Sequence, residues 1–98
     1  MSTEWTAMKT ALARCPIVPV ITLKDVGHAA PLAQALVGAG MTVLEITLRT
    51  DCALDAIRVM AAVSTDAWVG GGTAVTATDI DRIINAGGRF VVTPGAPA

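Results

Sequence analysis

The sequence predicts an α/β domain built on a parallel sheet, and three observations carry that prediction. Four short β-branched runs, "PIVPVITL", "MTVLEITLRT", "AWVGGGT" and "RFVVTPGAPA", alternate with segments of helical periodicity. Strands joined through helices pair in parallel, because the return path needs a helix-length crossover. The stretches "AGMTVLEIT", from Ala39, and "AGGRFVVTP", from Ala86, form a faint internal repeat. Each is a helix-ending Ala-Gly followed by two spacer residues and a strand. Finally, charged residues make up 15% of the chain and hydrophobic ones 53%. The typical charged fraction is about 25%, so this chain is expected to be covered on several sides.

Each element follows from local signals. "STEWTAMKTALAR" opens on cap-type Ser2 or Thr3 and repeats Trp5, Met8 and Leu12 at helical spacing. The first strand, "PIVPVITL", contains prolines that cannot donate to a ladder, so its start is expected to be unpaired. A helix follows from about Asp25, with Gly38 and Gly40 as stop signals. Pro31 should kink that helix if it lies in the interior. The second strand leads to "DCALDAIRVMAAV", a helix with Leu54, Ile57 and Ala61 on its apolar stripe and Asp55 and Arg58 off it. "AWVGGGT" reads as a third strand running into a glycine-rich turn. "TATDIDRIINAGG" holds two overlapping capping boxes, Thr76 with Asp79 and Thr78 with Asp81, and a stripe of Ile80, Ile83 and Ile84. The fourth strand, "RFVVTPGAPA", is the last segment.

Composition removes several classes of function. With 98 residues the chain is expected to form one domain, 1–98. Its net charge of -1 gives no electrostatic footprint for nucleic acid. No apolar run approaches the roughly 20 residues that span a bilayer. "MSTEWTAMKT" lacks the basic start and apolar run of a secretory signal, so a cytoplasmic protein is expected. Cys15 and Cys52 have no metal-ligand spacing and read as reduced thiols.

The second strand asks for a chemical explanation. Leu44, Ile46 and Leu48 are uniformly apolar, whereas Val43, Glu45, Thr47 and Arg49 share the other face. An open sheet covered by helices on both sides should be apolar on both faces. A barrel differs: its outer face meets helices, and its inner face can carry polar groups near the C-terminal strand ends. An ordinary strand with one solvated face fits the alternation as well. A buried carboxylate at Glu45 would need Arg49 or a substrate beside it.

The stretches "PIVPVI", "LVGAGMTVLEITLRT", "CALDAIR", "VGGGT" and "FVVTPG" are similar, in order and spacing, to the N-terminal half of a family of aldolases. These are the 2-keto-3-deoxy-6-phosphogluconate and 4-hydroxy-2-oxoglutarate aldolases. The resemblance runs from Pro16 to Gly95, and it departs from the family at Gly71, where an alanine is usual. It implies a (β/α)₈ TIM barrel, a homotrimer, and a class I mechanism. In that mechanism a lysine forms a Schiff base with pyruvate or the keto acid, without metal or other cofactor. Glu45 matches the family's general acid/base, Arg49 and Thr73 match residues that hold the substrate's carboxylate end, and Pro94 matches a residue lining the same pocket. Residue chemistry agrees with these roles. Aldol cleavage needs a base for the C4 hydroxyl proton and an acid for the enamine carbon, and one glutamate can serve both steps. Arginine presents a planar fork to a carboxylate. Thr73 follows Gly70–Gly72, where a substrate could approach the backbone closely.

The resemblance also implies residues that this sequence does not contain. The family's Schiff-base lysine lies on the sixth strand, and its phosphate-binding turns follow the seventh and eighth. Lys9 and Lys24 are the only lysines here, and His28 is the only histidine. All three read as surface groups. The expectation is therefore the first half of an aldolase barrel, inactive alone, whose partner is a small keto acid. The alternatives are a non-catalytic half-barrel that binds a keto acid or associates with itself, and a different barrel enzyme with a similar first half.

Overall fold

In the computed structural model, residues 3–64, 66–74 and 76–93 are described. The order is α1 (Thr3–Arg14), β1 (Val20–Ile21), a 3₁₀ turn (Val26–His28), α2 (Ala29–Gly38), β2 (Val43–Thr47), α3 (Ala53–Val63), β3 (Trp68–Gly72), α4 (Ala77–Asn85) and β4 (Val91–Val92). The strands form one parallel sheet in the order β1-β2-β3-β4. The α/β class and the parallel pairing are those read from the sequence.

The two Ala-Gly sequences have a common physical basis. After α2, Gly40 takes φ 92°, its N–H donates to Val37 O, and the Met41 N–H donates to Leu36 O. After α4, Gly87 takes φ 100°, with Gly87 N–H donating to Ile84 O and Gly88 N–H to Ile83 O. Both are Schellman caps, which use a left-handed glycine to satisfy the last helical carbonyls. Each turns the chain directly into the next strand.

Other local readings change on folding. Of "PIVPVITL" only Val20 and Ile21 pair, since Pro16 and Pro19 leave the start without donors. Pro31 lies in the first turn of α2, where no helical hydrogen bond depends on its nitrogen, so the helix needs no kink. On α3 the buried positions are Ala53, Ala56, Ile57 and Met60; Leu54 and Ala61 only flank the core. Asp55 and Arg58 are solvent-facing and form an ion pair at 2.9 Å. Only one capping box forms. Thr76 accepts from Asp79 N–H at 3.0 Å and Asp79 accepts from Thr76 N–H at 3.3 Å, and Thr78 is already inside the helix. Ile83 is fully buried, but Ile84 is 57% exposed.

The helices cover one side of the sheet. Ile21, Leu44, Ile46 and Val69 join Ala56, Ile57, Met60 and Ile83 in one core cluster, with Val91 packed against it. Register places Val20, Glu45 and Gly70 in one row across the other side, together with Val43, Thr47, Trp68 and Gly72. Val43 and Trp68 are buried but lie outside the helix-side cluster. Arg89 stacks on the Trp68 ring at 3.6 Å, which closes the N-terminal end of this second face. Alternation on a parallel strand thus sorts the chain into a helix-covered face and an inner face.

Candidate functional site

The second face is the only part of the described residues where Glu45 meets other residues singled out by sequence. Glu45 sits in the middle of β2 and is half-buried, whereas every other residue of that strand is buried. Its neighbours in register are Val20 of β1 and Gly70 of β3. Its side chain does not stay above Gly70. A methyl group placed on Gly72 would fall on Glu45 Oε2 and lie 2.7 Å from Cδ, so the carboxylate leans toward the C-terminal end of β3.

The row containing Gly72 explains the lean. Thr47 Oγ1 donates to Ile21 O at 3.4 Å and accepts from Thr22 Oγ1 at 2.7 Å. These two hydroxyls fill the β1 and β2 positions of that row. On β3 the position is Gly72, paired with Thr47, and it carries no side chain. The Glu45 carboxylate occupies that space.

The three glycines therefore differ from the turn expected from sequence. All belong to β3, and a protein side chain fills the space beside each. A Cβ on Gly70 would lie 2.6 Å from the Phe90 ring. One on Gly71 would lie 2.5 Å from Ile83 Cγ1, on the helix side. Gly72 accommodates Glu45. The turn comes one residue later, at Thr73, the only described non-glycine residue with positive φ, at 62°. For a β-branched residue that conformation is strained by roughly 1–2 kcal/mol.

Arg49 lies beyond the strand. β2 ends at Thr47, and Arg49 is exposed in the turn that follows. Among the described residues the ion pairs are His28–Asp25 and Arg58–Asp55, so Glu45 and Arg49 are not paired. The turn itself is anchored. Thr50 Oγ1 donates to Leu23 O, and Cys52 Sγ donates to the same carbonyl at 3.1 Å. This tie between the exits of β1 and β2 has no sequence signal beyond the polar residues of the turn.

Lys9 and Lys24 are exposed, and His28 is exposed with Asp25 4.0 Å away. Pro94 lies outside the described residues. Among those residues no group of three His, Cys, Asp or Glu side chains could hold a metal, and no helix is long and apolar enough to cross a membrane.

Known proteins resemble this chain in sequence and in fold. The family described as KDPG and KHG aldolase matches residues 8–98. The KHG/KDPG aldolase of Escherichia coli is 44% identical over 90 residues, which are 92% of this chain and 42% of that protein. The 2-dehydro-3-deoxy-phosphogluconate aldolase of Pseudoalteromonas atlantica is 42% identical over 97% of this chain and 45% of its own length. In structure, the 2-keto-3-deoxy-6-phosphogluconate aldolase of Zymomonas mobilis superposes with a TM-score of 0.84 at 43% identity, over 91% of this chain and 43% of that one. The enzyme of Legionella pneumophila, solved with pyruvate captured as a covalent carbinolamine, superposes with a TM-score of 0.82 at 38% identity. The chain spans less than half the length of these relatives, and its four parallel strands are a partial barrel of their kind. By sequence and by fold, the chain belongs to the KDPG and KHG aldolase family.

Proposed function

We propose that residues 1–98 form the first half of one class I aldolase barrel, which reversibly cleaves a 2-keto-3-deoxy sugar acid to pyruvate and an aldehyde. The observation carrying this reading is the half-buried Glu45 on the inner face of a parallel sheet, in a chain of this family. Glu45 acts as the general acid/base. Its carboxylate leans to the C-terminal end of the sheet, where barrel enzymes assemble their sites, and among the described residues no cation is paired with it. Arg49, on the anchored turn above it, receives the substrate's carboxylate, and Thr73 holds the same end from β3. Pro94 lines the pocket. The Schiff-base lysine belongs to a strand beyond these four. Pyruvate is the small-molecule partner, and the complete protein is a cytoplasmic homotrimer.

The test uses a complete barrel carrying these residues. Glu45→Gln is expected to retain borohydride trapping of pyruvate while slowing hydrogen exchange at the pyruvate methyl by about 10²-fold or more. Exchange at the unaltered rate would remove Glu45 from the mechanism.

A second reading is supported by the two edge strands. Val20 is 63% exposed and Val92 43% exposed, and β1 and β4 each have an unpaired edge. Such a sheet suits a non-catalytic protein that associates with itself, and the mass of the native polypeptide distinguishes the two: a chain of full barrel length supports the aldolase, and one of 98 residues supports the self-associating half-barrel.

A further inference from the structure

Gly72 has no role in the reading above, yet its empty position determines where the Glu45 carboxylate rests. We propose that Gly72 is a positioning residue for Glu45, and that its lack of a side chain is a carboxylate slot. The inference deepens the acid/base reading and rests on it for its catalytic meaning.

Three observations converge on the slot. A Cβ at residue 72 would clash with Glu45 Oε2 and lie 2.7 Å from Cδ and 3.0 Å from Cγ, so any side chain there competes with the carboxyl group for the same volume. The hydroxyls of Thr22 and Thr47 are bonded to each other at 2.7 Å, and Thr47 also to Ile21 O, which fills the β1 and β2 positions of the row. The space above Gly70, directly beside Glu45 in register, is taken by the Phe90 ring, 2.6 Å from where a Cβ would stand. The side chain is thereby steered along the strand toward the C-terminal edge of the sheet.

The slot has a distinctive mutational signature. At Gly70 a methyl group would strike Phe90 O, a backbone atom, at 2.5 Å, and at Gly71 it would strike the fully buried Ile83. At Gly72 the three nearest atoms it would meet all belong to Glu45, a flexible, half-buried side chain. Gly72→Ala should therefore be accommodated by the fold, at the expense of the carboxylate's position.

The experiment is magic-angle-spinning NMR of the ¹³C-labelled 98-residue chain, which works for a monomer and an assembly alike. A short-mixing cross-peak is expected between Glu45 Cδ and Gly72 Cα. In Gly72→Ala the correlation from Glu45 Cδ to residue 72 should fall at least threefold, with β2 and β3 backbone shifts otherwise retained. Gly38→Ala, where nothing lies within 4 Å of the added methyl, should leave the cross-peak intact. Absence of the cross-peak in the native chain, or its full retention in Gly72→Ala, would overturn the proposal. Should Gly72→Ala fail to fold, the pair Glu45→Ala/Gly72→Ala decides: recovered folding supports competition for one volume, and no recovery overturns it. Because methyl exchange tests the acid/base role in the complete barrel, either idea can fail without the other.

Discussion

Arg49 and Thr73 illustrate what a residue's type reveals and what its backbone adds. The guanidinium of Arg49 is exposed in a turn held to β1 through Thr50 and Cys52. It is therefore an exposed head on an anchored base. Arg49→Lys keeps the charge and loses the planar fork. In a complete barrel it is expected to raise KM for pyruvate-type substrates about 10-fold, with kcat changed less; equal use of an analogue lacking the carboxylate would remove the assignment. Thr73 is a different case, because its φ of 62° is unfavourable for a β-branched residue. Thr73→Gly relieves that strain but adds freedom to the unfolded chain, and these effects are of similar size. Urea denaturation is expected to show unchanged or slightly raised stability, up to about 1 kcal/mol. A loss above about 1 kcal/mol would mean that the threonine side chain stabilises the fold.

At the scale of elements, β3 and α4 constrain one another. Gly71 stands where the family resemblance leads one to expect alanine, and the space is taken here by Ile83 of α4. Gly71→Ala is expected to cost about 1–3 kcal/mol through overpacking. Ile83→Ala removes Cδ1, Cγ1 and Cγ2, the three atoms that the new methyl would meet, so the double variant should be more stable than the sum of its parts. Strict additivity in urea denaturation would show that the two positions do not share one space. The start of α4 offers a matched pair of tests. Thr76 closes a reciprocal cap with Asp79, so Thr76→Ala should cost about 1 kcal/mol. Thr78 lies within the helix and caps nothing, and Thr78→Ala should change stability by less than about 0.5 kcal/mol.

For the whole molecule, the principal extents of 35 × 31 × 20 Å describe a slab. Its thin dimension suits one sheet with one layer of helices, given sheet-to-layer spacings of about 10 Å. The radius of gyration of 12.7 Å matches the value of about 13 Å for a compact chain of this size. Compactness is thus reached with two strand edges unpaired. Unpaired edges and the exposed side chains of Val20 and Val92 on them promote association, and a charged fraction of 15% opposes it weakly. The 98-residue chain is expected to sediment as a dimer or larger species, and a stable monomer would contradict this account. Treatment with borohydride and pyruvate should leave its mass unchanged, because its two lysines, Lys9 and Lys24, are both exposed and a Schiff-base lysine is activated by desolvation or a neighbouring cation. A pyruvyl adduct at Lys24 would reverse that expectation.

The sequence by itself determined the order of elements, the parallel pairing and the two helix-ending glycine turns. These depend on periodicity, caps and backbone conformation, all of which act over a few residues. It also made Glu45 conspicuous, as a charge within a β-branched run. Tertiary structure alone decided which residue fills the space left by each glycine of "GGGT". Phe90, Ile83 and Glu45 come from three other elements, and no local pattern couples them to residues 70–72. It likewise decided that Ile84 is exposed while Ile83 is buried, because helical spacing defines a stripe but not the angle at which the helix meets the sheet. The bond between Thr22 and Thr47 has the same origin. Two hydroxyls distant in sequence meet only because parallel pairing brings β1 and β2 into register, and the same kind of pairing between β2 and β3 brings the Glu45 carboxylate beside Gly72.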